Sequence, residues 1–150
     1  MAVEDLARVI WEEHYTPIIG AEQVEYMLRI FQSAEAVEKQ IQEGMQYYLV
    51  GLGSVPVGYL AFNLEPKELF LSKIYVLKEK RGAGLGRASM EFVESKARDL
   101  GRNAISLTVN KNNSHSIRAY EKMGFVNLEA IETDIGSGFV MDDYLMRKEL

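Results

Sequence analysis

Two spacings of apolar residues run along the chain, one near 3.6 and one of 2, and their order predicts its elements. Val3, Leu6, Ile10 and Trp11 fall on one side of a helix over 3–14. Val24, Met27, Leu28 and Phe31 repeat the pattern over 21–31, and a third helix follows Ser33 and stops near Gly44. Beyond this the spacing shortens. Residues 46–52 and 55–65 read as a hairpin turned by Gly53-Ser54, and 69–76 continues the meander. Leu85, Ala88, Phe92, Val93 and Leu100 form the inner face of a longer helix that Gly101 stops. A strand over 104–109 and a short helix carrying Ile117, Tyr120 and Met123 come next. Strands over 125–134 and 139–148, joined by Ile135-Gly136-Ser137-Gly138, finish the pattern.

Between the third strand and the longer helix lies Arg81-Gly82-Ala83-Gly84-Leu85-Gly86, with three glycines in five positions. Glycines permit positive φ and remove Cβ atoms, so successive N–H groups can converge on an anion, and the helix behind adds its positive end. Arg81 and Arg87 flank this turn and suit phosphate oxygens. A Walker-type loop is excluded because Arg87-Ala88, not Lys-Ser/Thr, follows Gly86. A dinucleotide fingerprint is excluded as well. The glycines run 82, 84, 86, and the next strand ends at Asn110 without an acid for a ribose.

About thirty residues on, Asn113 reads as the N-cap of a helix of roughly three turns that Gly124 ends. The two segments read Arg81-x-x-Gly84-x-Gly86 and Asn113-x-x-Ser116-x-x-x-Tyr120-x-x-x-Gly124-Phe125. In this the chain resembles the GCN5-related N-acetyltransferase (GNAT) family, whose signatures are R-x-x-G-x-G and N-x-x-A-x-x-x-Y-x-x-x-G-F; Ser116 replaces the usual alanine. The resemblance covers about residues 46 to 150. It implies an α/β (α+β) acyl-CoA N-acyltransferase fold, a mixed and mostly antiparallel central sheet flanked by helices. The first strand of that fold is expected to be missing here, since this sequence starts almost directly in a helix; either the strand has been dispensed with or it lies outside this sequence. An uncovered sheet edge, or one covered by a partner, would follow.

The resemblance also implies roles. Acetyl-CoA is the expected co-substrate, its pyrophosphate bound by the amides of Arg81, Gly82, Ala83, Gly84, Leu85 and Gly86, beside Arg87. The strand ending Ile74-Tyr75-Val76 would splay from its neighbour and pair with pantetheine through its main chain. An N–H near Val76 would meet charge developing on the thioester oxygen. Asn113 would hydrogen-bond the pantetheine arm, Ser116 would line it, and Tyr120 would act as general acid toward the leaving thiolate. No covalent enzyme intermediate is required.

Composition narrows the setting. At 150 residues and 47% hydrophobic, the chain is expected to form one domain over 1–150. It has no cysteine, which excludes disulfides and fits a cytoplasmic location. No apolar run reaches the roughly eighteen residues a membrane span needs. A net charge of −5 argues against nucleic acid as a partner. Two scattered histidines, His14 and His115, give no metal site.

Charge is uneven along the chain. Residues 1–45 hold nine acids and three bases, a net −6, while the remainder carries +1. In the resembled family the first helices form much of the acceptor wall, so a small cationic amine such as a diamine or polyamine is the expected acceptor, with Glu12, Glu13, His14 and Tyr15 at the helix exit as its contacts. A protein or peptide N-acetyltransferase and a noncatalytic CoA-binding sensor are the alternatives. The general base is open between Glu13, His14 and a water relay. Asp134, Asp142 and Asp143 could extend the acidic wall, with surface placement as the default. A homodimer through the last strands would use Phe139, Met141, Tyr144 and Met146, which serve equally as core.

Overall fold

The structure, a computed structural model, describes residues 2–80 and 84–150, save the side chain of Glu79. It falls into two compact units, one holding residues up to Asn63 together with Leu71–Val93, the other Leu64–Phe70 with Glu94–Leu150. Strands follow in the order β1 (Gln46–Leu52), β2 (Val55–Leu64), β3 (Leu69–Val76), β4 (Ala104–Asn110), β6 (Phe139–Glu149) and β5 (Val126–Gly136).

The first unit begins with helices. In α1 (Ala2–His14), Val3, Ala7, Ile10 and Trp11 are buried, close to the predicted stripe. A short helix not predicted from the sequence, α2 (Thr16–Ile19), has Pro17 in its first turn. The helix expected over 21–31 is divided. It runs as α3 (Ala21–Met27) and then widens into a π-helical turn, Leu28–Gln32, before Ser33. Helix α4 (Ala34–Gln42) starts where predicted: Ser33 Oγ accepts the Ala36 N–H at 3.2 Å, and the Glu4 carboxylate accepts the Ala34 N–H at 2.8 Å. Two otherwise orphaned donors are satisfied in this way.

Strands β1 (Gln46–Leu52) and β2 (Val55–Leu64) pair antiparallel, with a register shift at Val50/Gly51. Tyr59, Leu60, Ala61 and Phe62 of β2 are all at most 2% exposed, so this strand is covered on both faces. Gly58 is required there: a Cβ would lie 2.3 Å from the Tyr75 carbonyl oxygen of β3 (Leu69–Val76).

Helix α5 (Leu85–Asp99) keeps its predicted limits but not its predicted face. Ser89, Met90, Val93 and Ala97 are the buried positions, while Ala88 is exposed and Phe92 and Leu100 are each 37% exposed. Met90, Val93 and Ala97 are the most closely covered positions, and Phe92 and Leu100 lie at the margins of the buried face. Phe92 still packs edge-on against Tyr48, ring centres 4.9 Å apart.

In the second unit the first residues of β3 pair parallel with β4 (Ala104–Asn110), Leu69 opposite Ile105 and Phe70 opposite Ser106. Strand β6 (Phe139–Glu149) pairs antiparallel with β4 along its length and with β5 (Val126–Gly136) on its other side. Helix α6 (Ser114–Lys122) ends at Gly124, φ +100°, and β5 opens one residue later than predicted. Ala104, Ile105, Leu107, Phe125 and Met146 make this unit's core. Lys148 Nζ is 2.8 Å from Glu94, and Arg147 reaches Glu68 and Glu149 at 2.9 Å.

Candidate active site

The phosphate-cradle prediction can be followed on its C-terminal side. Arg81, Gly82 and Ala83 lie outside the described residues. Gly84, at φ +77°, precedes α5, and its carbonyl accepts the Ala88 N–H at 3.0 Å, so it stands at the helix mouth. A Cβ at Gly84 or Gly86 would meet nothing within 4 Å. These glycines are therefore not demanded by packing; open space faces the start of a fifteen-residue helix, which fits an anionic group. Leu85 is half-buried and Arg87 exposed.

Also in the first unit, Ile74 and Tyr75 at the end of β3 are half-buried and Val76 is 8% exposed. Tyr75 belongs to a ring cluster. Its centroid is 5.3 Å from Tyr59, 5.6 Å from Trp11 and 6.2 Å from Tyr15, and Trp11 and Tyr15 are 4.4 Å apart. His14 stands edge-on to Tyr15 at 4.8 Å. The helix exit singled out in the sequence is thus gathered with Tyr75, although Glu12 and Glu13 point outward and exposed. Arg8 holds both Glu12 and Glu25 at 3.0 Å, and Glu4 is engaged at α4, so part of the N-terminal acidity is already used.

Beneath this cluster lies a polar group the sequence reading passed over. Lys73 is 5% exposed; its Nζ donates to Phe31 O at 2.7 Å, to Gln40 Oε1 at 2.8 Å and to the Tyr47 hydroxyl. Burial pulls this amine down to about 7, while three oxygen acceptors favour the charged form. The Tyr59 hydroxyl donates to Gln32 Oε1 at 2.8 Å, and burial pushes the phenol far above its usual value. Both bonds end on the π-helical turn, so sheet residues fix the irregular backbone there. The alternation Leu69, Leu71, Lys73 along β3 was the available signal, since it puts a lysine on the inward side.

In the second unit, Asn113 is 4% exposed and stands at the N-cap of α6, but its side chain does not make the predicted capping bond. The turn is closed by its neighbour: Asn110 Oδ1 accepts the Asn112 N–H at 2.9 Å and Asn110 O accepts the Asn113 N–H at 3.0 Å. Asn113 is thus positioned by backbone. Ser116 and Tyr120 lie on α6, both half-buried, and the Tyr120 ring packs on Phe125 at 5.8 Å. Asp143, expected on the surface, is instead 7% exposed, because the β4–β6 register sets it opposite Asn110. Met146 is wholly buried, whereas Phe139, Met141 and Tyr144 are half-buried.

Comparison with known proteins decides the family. The Acetyltransferase (GNAT) family pattern matches residues 3–125. The chain belongs to the GNAT family. An uncharacterised N-acetyltransferase of Mycobacterium bovis is 33% identical over 95 residues, which are 63% of this chain and 60% of that protein, so the chain spans about three fifths of this relative. The fold is similar to that of the PaiA N-acetyltransferase of Thermoplasma acidophilum, solved in complex with coenzyme A, with a TM-score of 0.82 and 21% identity over 98% of this chain and 90% of that one. A GCN5-related N-acetyltransferase of Rhodopseudomonas palustris gives a TM-score of 0.83 at 18% identity, covering 99% and 88%. A ribosomal-protein-alanine N-acetyltransferase of Brucella melitensis gives 0.62 at 21% identity, covering 77% and 75%. A GNAT fold is common to all of them. Among the described residues no helix is long and apolar enough to cross a membrane, and no group of three or more His, Cys, Asp or Glu could hold a metal.

Proposed function

We propose that this GNAT protein is an acetyl-CoA-dependent N-acetyltransferase that passes acetyl directly to a primary amine, a small cationic one. The observation that carries the reading is the pair of family signatures inside the matched span, one at the mouth of α5 and one along α6. Gly84 and Gly86 leave room for a pyrophosphate that the amides from Arg81 to Gly86 bind, with Arg81 and Arg87 beside it. The main chain of Ile74, Tyr75 and Val76 orients the pantetheine arm in the first unit, and an N–H near Val76 meets charge on the thioester oxygen. Within the second unit, Asn113 and Ser116 are the residues assigned to pantetheine, and the Tyr120 hydroxyl is assigned to protonation of the departing sulfur.

The cationic acceptor is supported by the half-buried rings of Tyr15 and Tyr75 at the helix exit and by exposed Glu13. Aromatic faces attract ammonium groups through their quadrupole, and a carboxylate adds steering. The test is thiol release from acetyl-CoA across diamines, polyamines, amino acids, aminoglycosides and basic peptides, with Tyr120→Phe alongside. Turnover on diamines or polyamines that falls about 10²-fold in Tyr120→Phe is expected. Peptides outranking diamines would move the reading to a peptide N-acetyltransferase, and tight CoA binding without turnover would move it to a sensor.

A further inference from the structure

Residues 44–64 carry no charged side chain, although Glu43 and Glu65 stand directly at their ends. They build the β1–β2 hairpin of the first unit, and among the described residues β1 ends the strand order, so one of its edges meets no strand. No residue of β1 is buried; Leu49 is 53% exposed, and Leu52 and Val55 are exposed beside the hairpin turn. An edge of this kind is ordinarily blunted by a lysine or a proline, and β1 has neither. Its register shift at Val50/Gly51 leaves Gln46–Val50 as a regular stretch. Tyr47 and Leu49 fall on one face of that stretch, Tyr48 and Val50 on the other. On the first face the Tyr47 hydroxyl bonds Gln40 of α4, and the next residue of that helix, Ile41, is an exposed apolar side chain. On the second face Tyr48 packs on Phe92 of α5, which is itself partly open to solvent. The open edge therefore has an uncharged, apolar margin on both sides.

We propose that a second copy of this chain covers this edge, the two β1 strands pairing antiparallel about a two-fold axis at Tyr48. In that register Tyr47 and Leu49 of one copy stand opposite Leu49 and Tyr47 of the other, and Gln46 stands opposite Val50. Main-chain hydrogen bonds along the edge hold the pair, and Leu49 and Ile41 lose water on one face as Tyr48 and Phe92 do on the other. No like charges meet, because none is present from 44 to 64. The last strand in the order, β5, is as exposed and offers Val126 and Leu128, but it carries Glu129, Glu132 and Asp134 and no base. Pairing β5 with itself sets these carboxylates against one another, and pairing it with the β1 of a next copy desolvates them with no cation in return. The β1-to-β1 contact is isologous and closes at two copies. Phe139, Met141, Tyr144 and Met146, expected to join copies through the last strands, lie on β6, which has a strand on each side.

The experiment is sedimentation equilibrium over a dilution series for the wild type, Leu49→Lys and Leu128→Lys. The wild type and Leu128→Lys should reach twice 17.0 kDa in the concentrated samples with the same dissociation constant. Leu49→Lys should raise that constant at least about 10-fold, because each copy then brings an ammonium into the contact with no acid to meet it. Its circular dichroism spectrum should match that of the wild type, since the side chain is exposed. Leu49→Cys gives a second readout without adding charge. The chain has no cysteine of its own, so a bismaleimide about 8 Å long, which reaches directly opposed and diagonal positions, should link two copies through residue 49, and Leu128→Cys should stay unlinked. A monomeric wild type, an assembly larger than two copies, an unchanged constant in Leu49→Lys or a linked Leu128→Cys overturns the proposal. If Leu49→Lys fails to fold, the Leu49→Cys link decides, its formation sustaining the contact and its absence overturning it. No amine or acetyl-CoA is needed, so the result stands apart from the acetyltransferase reading.

Discussion

The two units bury polar side chains on opposite terms. In the first, Lys73, Tyr47, Gln40, Tyr59 and Gln32 are joined to one another or to the Phe31 carbonyl, and no charge of opposite sign is present in that set. In the second, Asp143 is buried and bare while Lys111 and Asp142 pair at its side. A satisfied buried group fixes geometry, whereas an unsatisfied one retains the capacity to bind or move a proton. The difference separates a satisfied buried group from an unsatisfied one, although both are single charged residues on inner strands.

Five substitutions would break or sharpen this contrast. Lys73→Ala removes three hydrogen bonds, leaves the Tyr47 oxygen without a donor and opens a cavity, so it should cost about 3 kcal/mol by urea unfolding. Burial lowers the folded amine from its ordinary 10.5 to about 7, and the unfolded chain therefore binds the extra proton between these values. Wild-type stability should rise with pH across that window, and Lys73→Met should flatten the slope. Tyr59→Phe removes the donor to buried Gln32 and should cost about 1.5 kcal/mol by the same measurement.

Asp143→Asn should act in the other direction. Its folded carboxyl is raised from 3.8 to about 6, so the native state loses stability as pH rises between these values and stays penalised above them. The variant should gain about 1 kcal/mol at pH 8 after discounting for solvent screening, with no gain at pH 3. A loss at pH 8 would make Asp143 another anchor and erase the contrast. Arg8→Ala cuts exposed pairs to Glu12 and Glu25 and should change stability by only about 0.5 kcal/mol, which thermal unfolding at two salt concentrations would measure.

Much of the frame was legible because it depends on local chemistry. Ser33 and Glu4 satisfy the start of α4, and Gly84, Gly101 and Gly124 adopt positive φ where turns or helix ends were expected. The division of the second helix was not legible. Val24, Met27, Leu28 and Phe31 keep one stripe through it, and the π-helical turn is held by Lys73 and Tyr59, 42 and 27 residues from their partners. The inner face of α5 was legible only in part: Val93 is buried as expected, whereas Ser89, Met90 and Ala97 take the places expected for Ala88, Phe92 and Leu100. Within the site, the signatures put Asn113 at the N-cap of α6 and Tyr120 on it, but the Asn113 side chain makes no capping bond, and Asn110 closes the turn ahead of the helix.

By itself the sequence determined the order of elements and the glycine-bearing turns, and its two signatures placed the chain in its family. Each follows from φ/ψ preferences, caps and spacings that a few neighbouring residues control. Only the tertiary structure decided which polar residues are enclosed and what they meet. Lys73 and Asp143 look alike in a strand pattern; one is surrounded by oxygens from distant segments and the other is left bare by the β4–β6 register. Burial and partnership depend on contacts between segments far apart along the chain, and periodicity carries no record of them.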